Sequence, residues 1–103
     1  MWAQLMKMKL RPGMDSQMAG LFDQIQALEE PDSGLVRTMV MRGQNDPSVV
    51  YVLVVFDSEE HARAREQDPR RQEAMKSAQA TMAEVFDGPP EFADLTVLKD
   101  VVP

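Results

Sequence analysis

Ser48-Val49-Val50-Tyr51-Val52-Leu53-Val54-Val55-Phe56-Asp57-Ser58 is the stretch that decides the fold. From Val49 to Phe56 its odd and even positions are both apolar or aromatic. Successive side chains of a strand point to opposite faces, so a strand with one face in water alternates apolar with polar. This one needs cover on both faces and belongs inside a sheet.

Upstream, Gly43-Gln44-Asn45-Asp46-Pro47 suits a reversing loop, and Leu35 to Arg42 reads as a second strand. So short a link makes the two an antiparallel hairpin. Trp2 to Leu10 reads as a first strand, stopped by Arg11-Pro12-Gly13. The segment between these strands spaces Met18, Leu21, Phe22, Ile25 and Leu28 along one helical stripe, which Pro31 ends. Asp15 or Ser16 is expected to accept hydrogen bonds from its first-turn amides. Gly20, lacking a side chain, is expected to let this helix approach the sheet closely.

Downstream, Ser58 is expected to cap a short helix whose first turn holds Glu59 and Glu60 at the positive end of the helix dipole. Asp68-Pro69 then signals a fresh start, a cap followed by proline at the first helical position. That helix runs to about Phe86 with Met75, Ala78, Met82, Val85 and Phe86 on one stripe, and Asp87-Gly88-Pro89-Pro90 ends it. Finally Ala93, Leu95, Val97 and Val101 alternate with Asp94, Thr96, Leu98 and Asp100 as a last strand.

The order is βαββαβ over a single domain spanning 1–103, an α+β chain of the ferredoxin-like type. Such a four-stranded antiparallel sheet carries its helices on one face, with the first and third strands central. Helices then cover one face of Val49 to Phe56, and nothing left in the chain covers the other. Two-fold self-association is the commonest solution, so a homodimer with the sheets face to face is expected.

A formal charge of −6 argues against a nucleic-acid surface, which needs a positive stripe. Arg63, Arg65, Arg70 and Arg71 do cluster in sequence, but Glu59, Glu60, Glu66, Asp68 and Glu73 are interspersed, as on a solvated face. No apolar run approaches the roughly 20 residues of a membrane span, and the first ten residues do not read as a signal peptide. With no cysteine there are no disulfides, thiolate nucleophiles or cysteine-held metals, and the expected location is a reducing cytoplasm.

Lys9-Leu10-Arg11-Pro12-Gly13, Asn45-Asp46-Pro47, Phe56-Asp57-Ser58-Glu59-Glu60, Gln67-Asp68-Pro69-Arg70-Arg71 and Phe86-Asp87-Gly88-Pro89-Pro90, taken in this order, resemble the antibiotic biosynthesis monooxygenase (ABM) family. The resemblance implies a dimeric α/β barrel. That superfamily includes cofactor-free oxygenases of aromatic polyketides, haem-degrading enzymes, isomerases of small lactones and domains with no assigned reaction. Relatives often carry a Trp where this chain has Phe56. In the haem-degrading ones that Trp works with an Asn on the first strand and a His on the last long helix. Here the first strand offers Gln4, Lys7 and Lys9, and 70–86 holds no His, so haem degradation is disfavoured.

His61 is the only histidine, which rules out a multi-histidine metal site in one subunit, and no metal is expected. Near a helix N-terminus it is expected to stay neutral and able to accept a proton from an acidic C–H or phenol. The plain alternative is a surface histidine. The role of its Trp counterpart in relatives implies that Phe56 lies under the helices with Val50, Val52 and Val54, so that Tyr51, opposite in parity, faces a partner subunit with Val49, Leu53 and Val55. Arg37 reads as a charge guarding an edge strand, or as an anchor for a ligand carboxylate or phenolate. The nine methionines are chiefly adaptable core filling. Ser48 and Ser58 sit at element ends without a Gly-x-Ser-x-Gly elbow or a placed base, which gives nucleophilic catalysis little support, and no glycine-rich phosphate loop is present.

The expected activity is thus cofactor-free oxygenation of a small aromatic or quinol-like metabolite, with His61 as base and Phe56, Met82 and Phe86 as pocket walls. The alternatives are a ligand-binding or stress-related dimer without catalysis, and a purely structural module.

Overall fold

The computed structural model describes residues 1–103. In order they form β1 (Trp2–Lys9), α1 (Asp15–Ala27), β2 (Leu35–Arg42), β3 (Val49–Phe56), α2 (Glu59–Gln67), α3 (Pro69–Val85) and β4 (Glu91–Thr96). The strands make one antiparallel sheet in the spatial order β2-β3-β1-β4. This is the ferredoxin-like arrangement, with the first and third strands central.

β3 divides its side chains as its parity requires. Val50, Val52, Val54 and Phe56 are 1 to 8% exposed, while Val49, Tyr51, Leu53 and Val55 are only partly covered. Directly opposed residues of an antiparallel pair share a face. The β1 register therefore puts Trp2, Gln4, Met6 and Met8 on the helix side with Phe56, Val54, Val52 and Val50. Leu21 of α1, Ala62 of α2, and Ala78 and Val85 of α3 complete the core on that side. Across the other face Met39, Leu53, Leu5 and Ala93 form one row, uncovered within the single chain.

The helix starts obey local chemistry in two cases and not in the third. The Ser58 hydroxyl accepts from the His61 amide at 3.1 Å, and the Asp68 carboxylate from the Arg70 amide at 2.9 Å, so both expected caps form. α1 begins differently. Met14 occupies its cap position with no side-chain hydrogen bond, and Asp15, already helical, turns instead to Arg42 of β2. Gly20 is not a close-approach residue either, since a Cβ there would meet nothing within 4 Å.

β4 stops at Thr96, so Val97 and Val101 lie outside the sheet. Its apolar Ala93 and Leu95 share the uncovered face with Leu5 and Ala3, while Phe92 and Asp94 share the helix side with Met6 and Gln4. At the other edge a bulge between Leu35 and Arg37 leaves Val36 unpaired in β2.

Candidate functional site

The exit of β3 meets the connection from α1 to β2, and the site is built at that junction. The Asp57 amide donates to the Gly34 carbonyl at 2.9 Å, which fixes the end of the strand. Ser58 then caps α2 and orients its first turn, so that His61 stands one turn beyond Asp57. His61 Nδ1 and Asp57 Oδ1 are 2.6 Å apart. Gly34 is what makes room for them. Its φ of +83° is a glycine conformation, and a Cβ there would lie 2.6 Å from Asp57 Oδ1 and 2.7 Å from His61 Cβ.

This pairing shifts the His61 pKa in the direction opposite to that expected from position alone. The hydrogen bond to Asp57, and then its charge, raise the His61 pKa above the ordinary imidazole value, and the same bond lowers that of Asp57. A direct charge-assisted contact outweighs the helix dipole that favours neutral imidazole. Both side chains are about half exposed. With Nδ1 engaged, Nε2 is the free nitrogen, an acceptor whenever the ring is neutral.

His61 stands on a hollow of about 400 Å³ between the end of α1 and the joint of α2 with α3, whose other walls include Leu28, Glu29, Ser33, Arg65 and Arg71. Arg65 grips Glu29 as a fork, Nε to Oε2 at 2.9 Å and Nη2 to Oε1 at 2.6 Å. Arg71 approaches Glu29 Oε1 only to 3.8 Å. Burial alone would raise the Glu29 pKa, but the hydrogen bonds led by Arg65, with the charges of Arg65 and Arg71, lower it on balance.

The residues singled out from the sequence are not brought together. Met82 and Phe86 line a second, mostly apolar hollow of about 280 Å³ with Met8 and Gln79, at the far end of α3. Phe56 lines neither. It is 2% exposed, with its ring 6.1 Å from that of Trp2 and the Arg65 guanidinium 5.2 Å from its centroid. Phe56 is core, and its cover is α2. Trp2 is core as well, roofed by Arg63 at 4.9 Å, and Arg63 also binds Asp94 of β4 at 2.8 Å, where Gln4 joins at 3.0 Å. Tyr51 and Arg37 belong to the uncovered face, away from the hollow. No three histidine or carboxylate side chains converge as a metal site would require.

Asp57, Gly34, Glu29 and Arg71 were not singled out as site residues by sequence reasoning. Asp57 had a usable signal, since it lies four residues before His61 across a cap. Glu29 and Arg65 are 36 positions apart and had none.

Three comparisons bear on identity. Among functionally curated proteins no sequence matches the chain. Many solved structures do, and three illustrate the range. A MhuD mutant with two manganese protoporphyrin IX molecules bound per active site covers all of both chains at 16% identity and TM-score 0.81. A Nitrosomonas europaea protein provisionally named antibiotic biosynthesis monooxygenase covers 96% of this chain and 100% of its own at 14% identity and TM-score 0.74. Rv0793 of Mycobacterium tuberculosis covers 98% of each chain at 16% identity and TM-score 0.73. At these identities the likeness shows the fold. The family model for antibiotic biosynthesis monooxygenases matches residues 1–77, from β1 into α3, a span that holds Gly34, Asp57, His61, Arg65 and Arg71. The chain belongs to the antibiotic biosynthesis monooxygenase family.

Proposed function

We propose that this chain is a cytoplasmic, homodimeric, cofactor-independent monooxygenase that oxidises a small aromatic or quinol-like metabolite, with His61 as its base. The observation that carries this reading is the Asp57–His61 pair at 2.6 Å on the rim of a hollow of about 400 Å³. An electron-rich substrate, once deprotonated, supplies its own electrons to O₂, so the protein needs a base, a shaped cavity and donors for the developing anion. Nε2 of neutral His61 takes a proton from an activated CH₂ of the substrate, or of the keto tautomer where the substrate is a phenol or quinol. The carbanion reduces O₂ and keeps one oxygen atom as a ketone. The other oxygen leaves as water with the two hydrogens of the CH₂, one returned by His61. Asp57 steadies the imidazolium in between, as an acidic partner does for a histidine base.

The donors that the resemblance assigns to a haem route are not in their places, since α3 carries no histidine and the helix-facing side chains of β1 are Trp2, Gln4, Met6 and Met8. The test is oxygen uptake by the purified protein on a panel of anthrones, naphthols and quinols. Turnover that falls at least about a hundredfold in His61→Ala, in line with loss of a general base, supports the assignment. Turnover unchanged in that variant ends it.

The second hollow supports an alternative. Met82 and Phe86 wall an apolar space that His61 does not reach, which suits a ligand-binding dimer without catalysis. Uptake of an aromatic ligand that is blocked by Met82→Trp, with no oxygen consumed, would favour it.

A further inference from the structure

Arg71 is the less satisfied of the two guanidinium groups on the inner wall of the hollow. Its side chain is 15% exposed, its only carboxylate neighbour is Glu29 at 3.8 Å, and its guanidinium makes no hydrogen bond within the chain. Glu29 has no capacity to spare, because both its oxygens are held in the Arg65 fork at 2.6 to 3.2 Å. Two guanidinium groups therefore share one carboxylate. The inner wall keeps one positive charge without a counter-ion, and burial together with the Arg65 charge pulls the Arg71 pKa below the ordinary guanidinium value.

The other acids around the hollow do not supply that counter-ion. Asp68 is held by Arg70, at 2.9 and 3.3 Å, and caps α3 through the Arg70 amide. Glu30 and Asp32 are exposed, and their charges act on Arg70 rather than Arg71. The rim, with Glu30, Asp32 and Asp68 around Arg70, is therefore acidic, and the unmatched positive charge is confined to the inner wall at Arg71.

We propose that Arg71, with Arg65 beside it, is a carboxylate-binding subsite, and that the hollow takes a small aromatic acid whose carboxylate Arg71 holds. This deepens the reading of His61 as base and rests on it for the reacting end of the substrate. A planar guanidinium offers paired donors matched to a carboxylate, and a single unmatched charge selects a monoanion. The hollow is near the lower end of the ~300–1,000 Å³ usual for small-molecule sites, which suits one or two rings.

Isotope-labelled protein is titrated at low ionic strength with benzoate, with benzamide as its neutral counterpart and with inorganic phosphate. Saturable benzoate binding that shifts the His61 and Arg71 resonances is expected, with benzamide at least about tenfold weaker. Arg71→Met, which keeps the apolar stem, lowers benzoate affinity by at least about tenfold. Arg71→Lys, which keeps charge but loses the fork, falls between, and Arg11→Met, outside the hollow, stays within about twofold of the parent. The spectrum of each variant reports its folding, and Arg71→Lys serves if Arg71→Met does not fold. Absence of saturable binding, equal binding of benzamide, preference for phosphate over benzoate, or unchanged affinity in Arg71→Met overturns the subsite. Benzoate binding with no oxygen uptake on any hydroxylated aromatic acid removes the base assignment and leaves the subsite standing. Turnover of a neutral quinol, unchanged in Arg71→Met, does the reverse.

Discussion

Gly34 and His61 are in direct contact although 27 residues apart in sequence, and no side chain fits between them. The absence of a Cβ on Gly34 lets the connection after α1 close over the Asp57–His61 pair. Gly34→Ala faces two costs, the positive φ, worth about 1–3 kcal/mol for a residue with a side chain, and the overlap with His61. We expect it to lower the urea midpoint and to move the His61 pKa back toward 6.5 as the pair separates. Gly20→Ala makes the contrasting case. It lies inside α1 facing open space, and alanine there is expected to stabilise by about 0.5–1 kcal/mol. Equal effects of the two substitutions in urea melts would refute the distinction.

The pH dependence of the pair has a definite sign. His61 is raised above 6.5, so its contribution to stability is complete below 6.5 and is lost as pH rises through the folded value. Asp57 is lowered below 3.8, so its contribution is complete above 3.8 and is lost as pH falls through the folded value. The two contribute together between pH 3.8 and 6.5. In Asp57→Asn the His61 pKa, read from its ring proton shifts, is expected to fall. The stability difference from the parent is expected to be greatest near pH 5 and to shrink toward both ends. A His61 titration unchanged by Asp57→Asn would show that the contact does not persist in solution.

How far the chain could be read in advance depended on whether the deciding interactions were local. Ser58 and Asp68 act within three residues of themselves, and both helices start where these caps require. β3 needed only its parity, and its two faces separate as expected. β4 shows the limit. An edge strand's facing depends on register with its neighbour, and pairing Ala93 with Leu5 turns its apolar residues away from the core and leaves Phe92 58% exposed on the helix side. The site was half legible for the same reason. His61 and its capping environment are local, whereas the approach of Gly34 and the Glu29–Arg65 fork depend on chain segments that only the fold unites.

That fork is the strongest ion pair in the hollow by geometry, and it ties the end of α1 to α2. Glu29→Gln keeps the shape and one acceptor oxygen but leaves two partly buried guanidinium groups facing each other without a carboxylate. A loss of about 1–3 kcal/mol is expected, the usual worth of hydrogen bonds to charged groups in partial burial. Arg65→Met is predicted to be milder in stability, since the stem still covers Phe56 and Glu29 retains Arg71 within 3.8 Å. Denaturant melts of the two variants at low and high salt check the order. A larger loss in Arg65→Met would refute it.

The second face of β3 bears on assembly. Leu53 lies between Met39 of β2 and Leu5 of β1, at the middle of a sheet face that also carries Val49, Tyr51, Val55 and Leu95. An apolar patch of this kind, centred on an interior strand, is what a face-to-face homodimer buries, and in a two-fold contact each substitution acts twice. Light scattering on the purified chain is therefore expected to give the mass of a dimer at micromolar concentration. Leu53→Asp brings two charges into the centre of that contact, away from water, and is expected to yield a folded monomer. Val40 is also exposed and apolar but shares the helix side with Val52, so Val40→Ser is expected to leave the dimer intact. A monomeric parent protein, or a dimer that survives Leu53→Asp and is lost in Val40→Ser, would mean that the uncovered face of the sheet is not the interface.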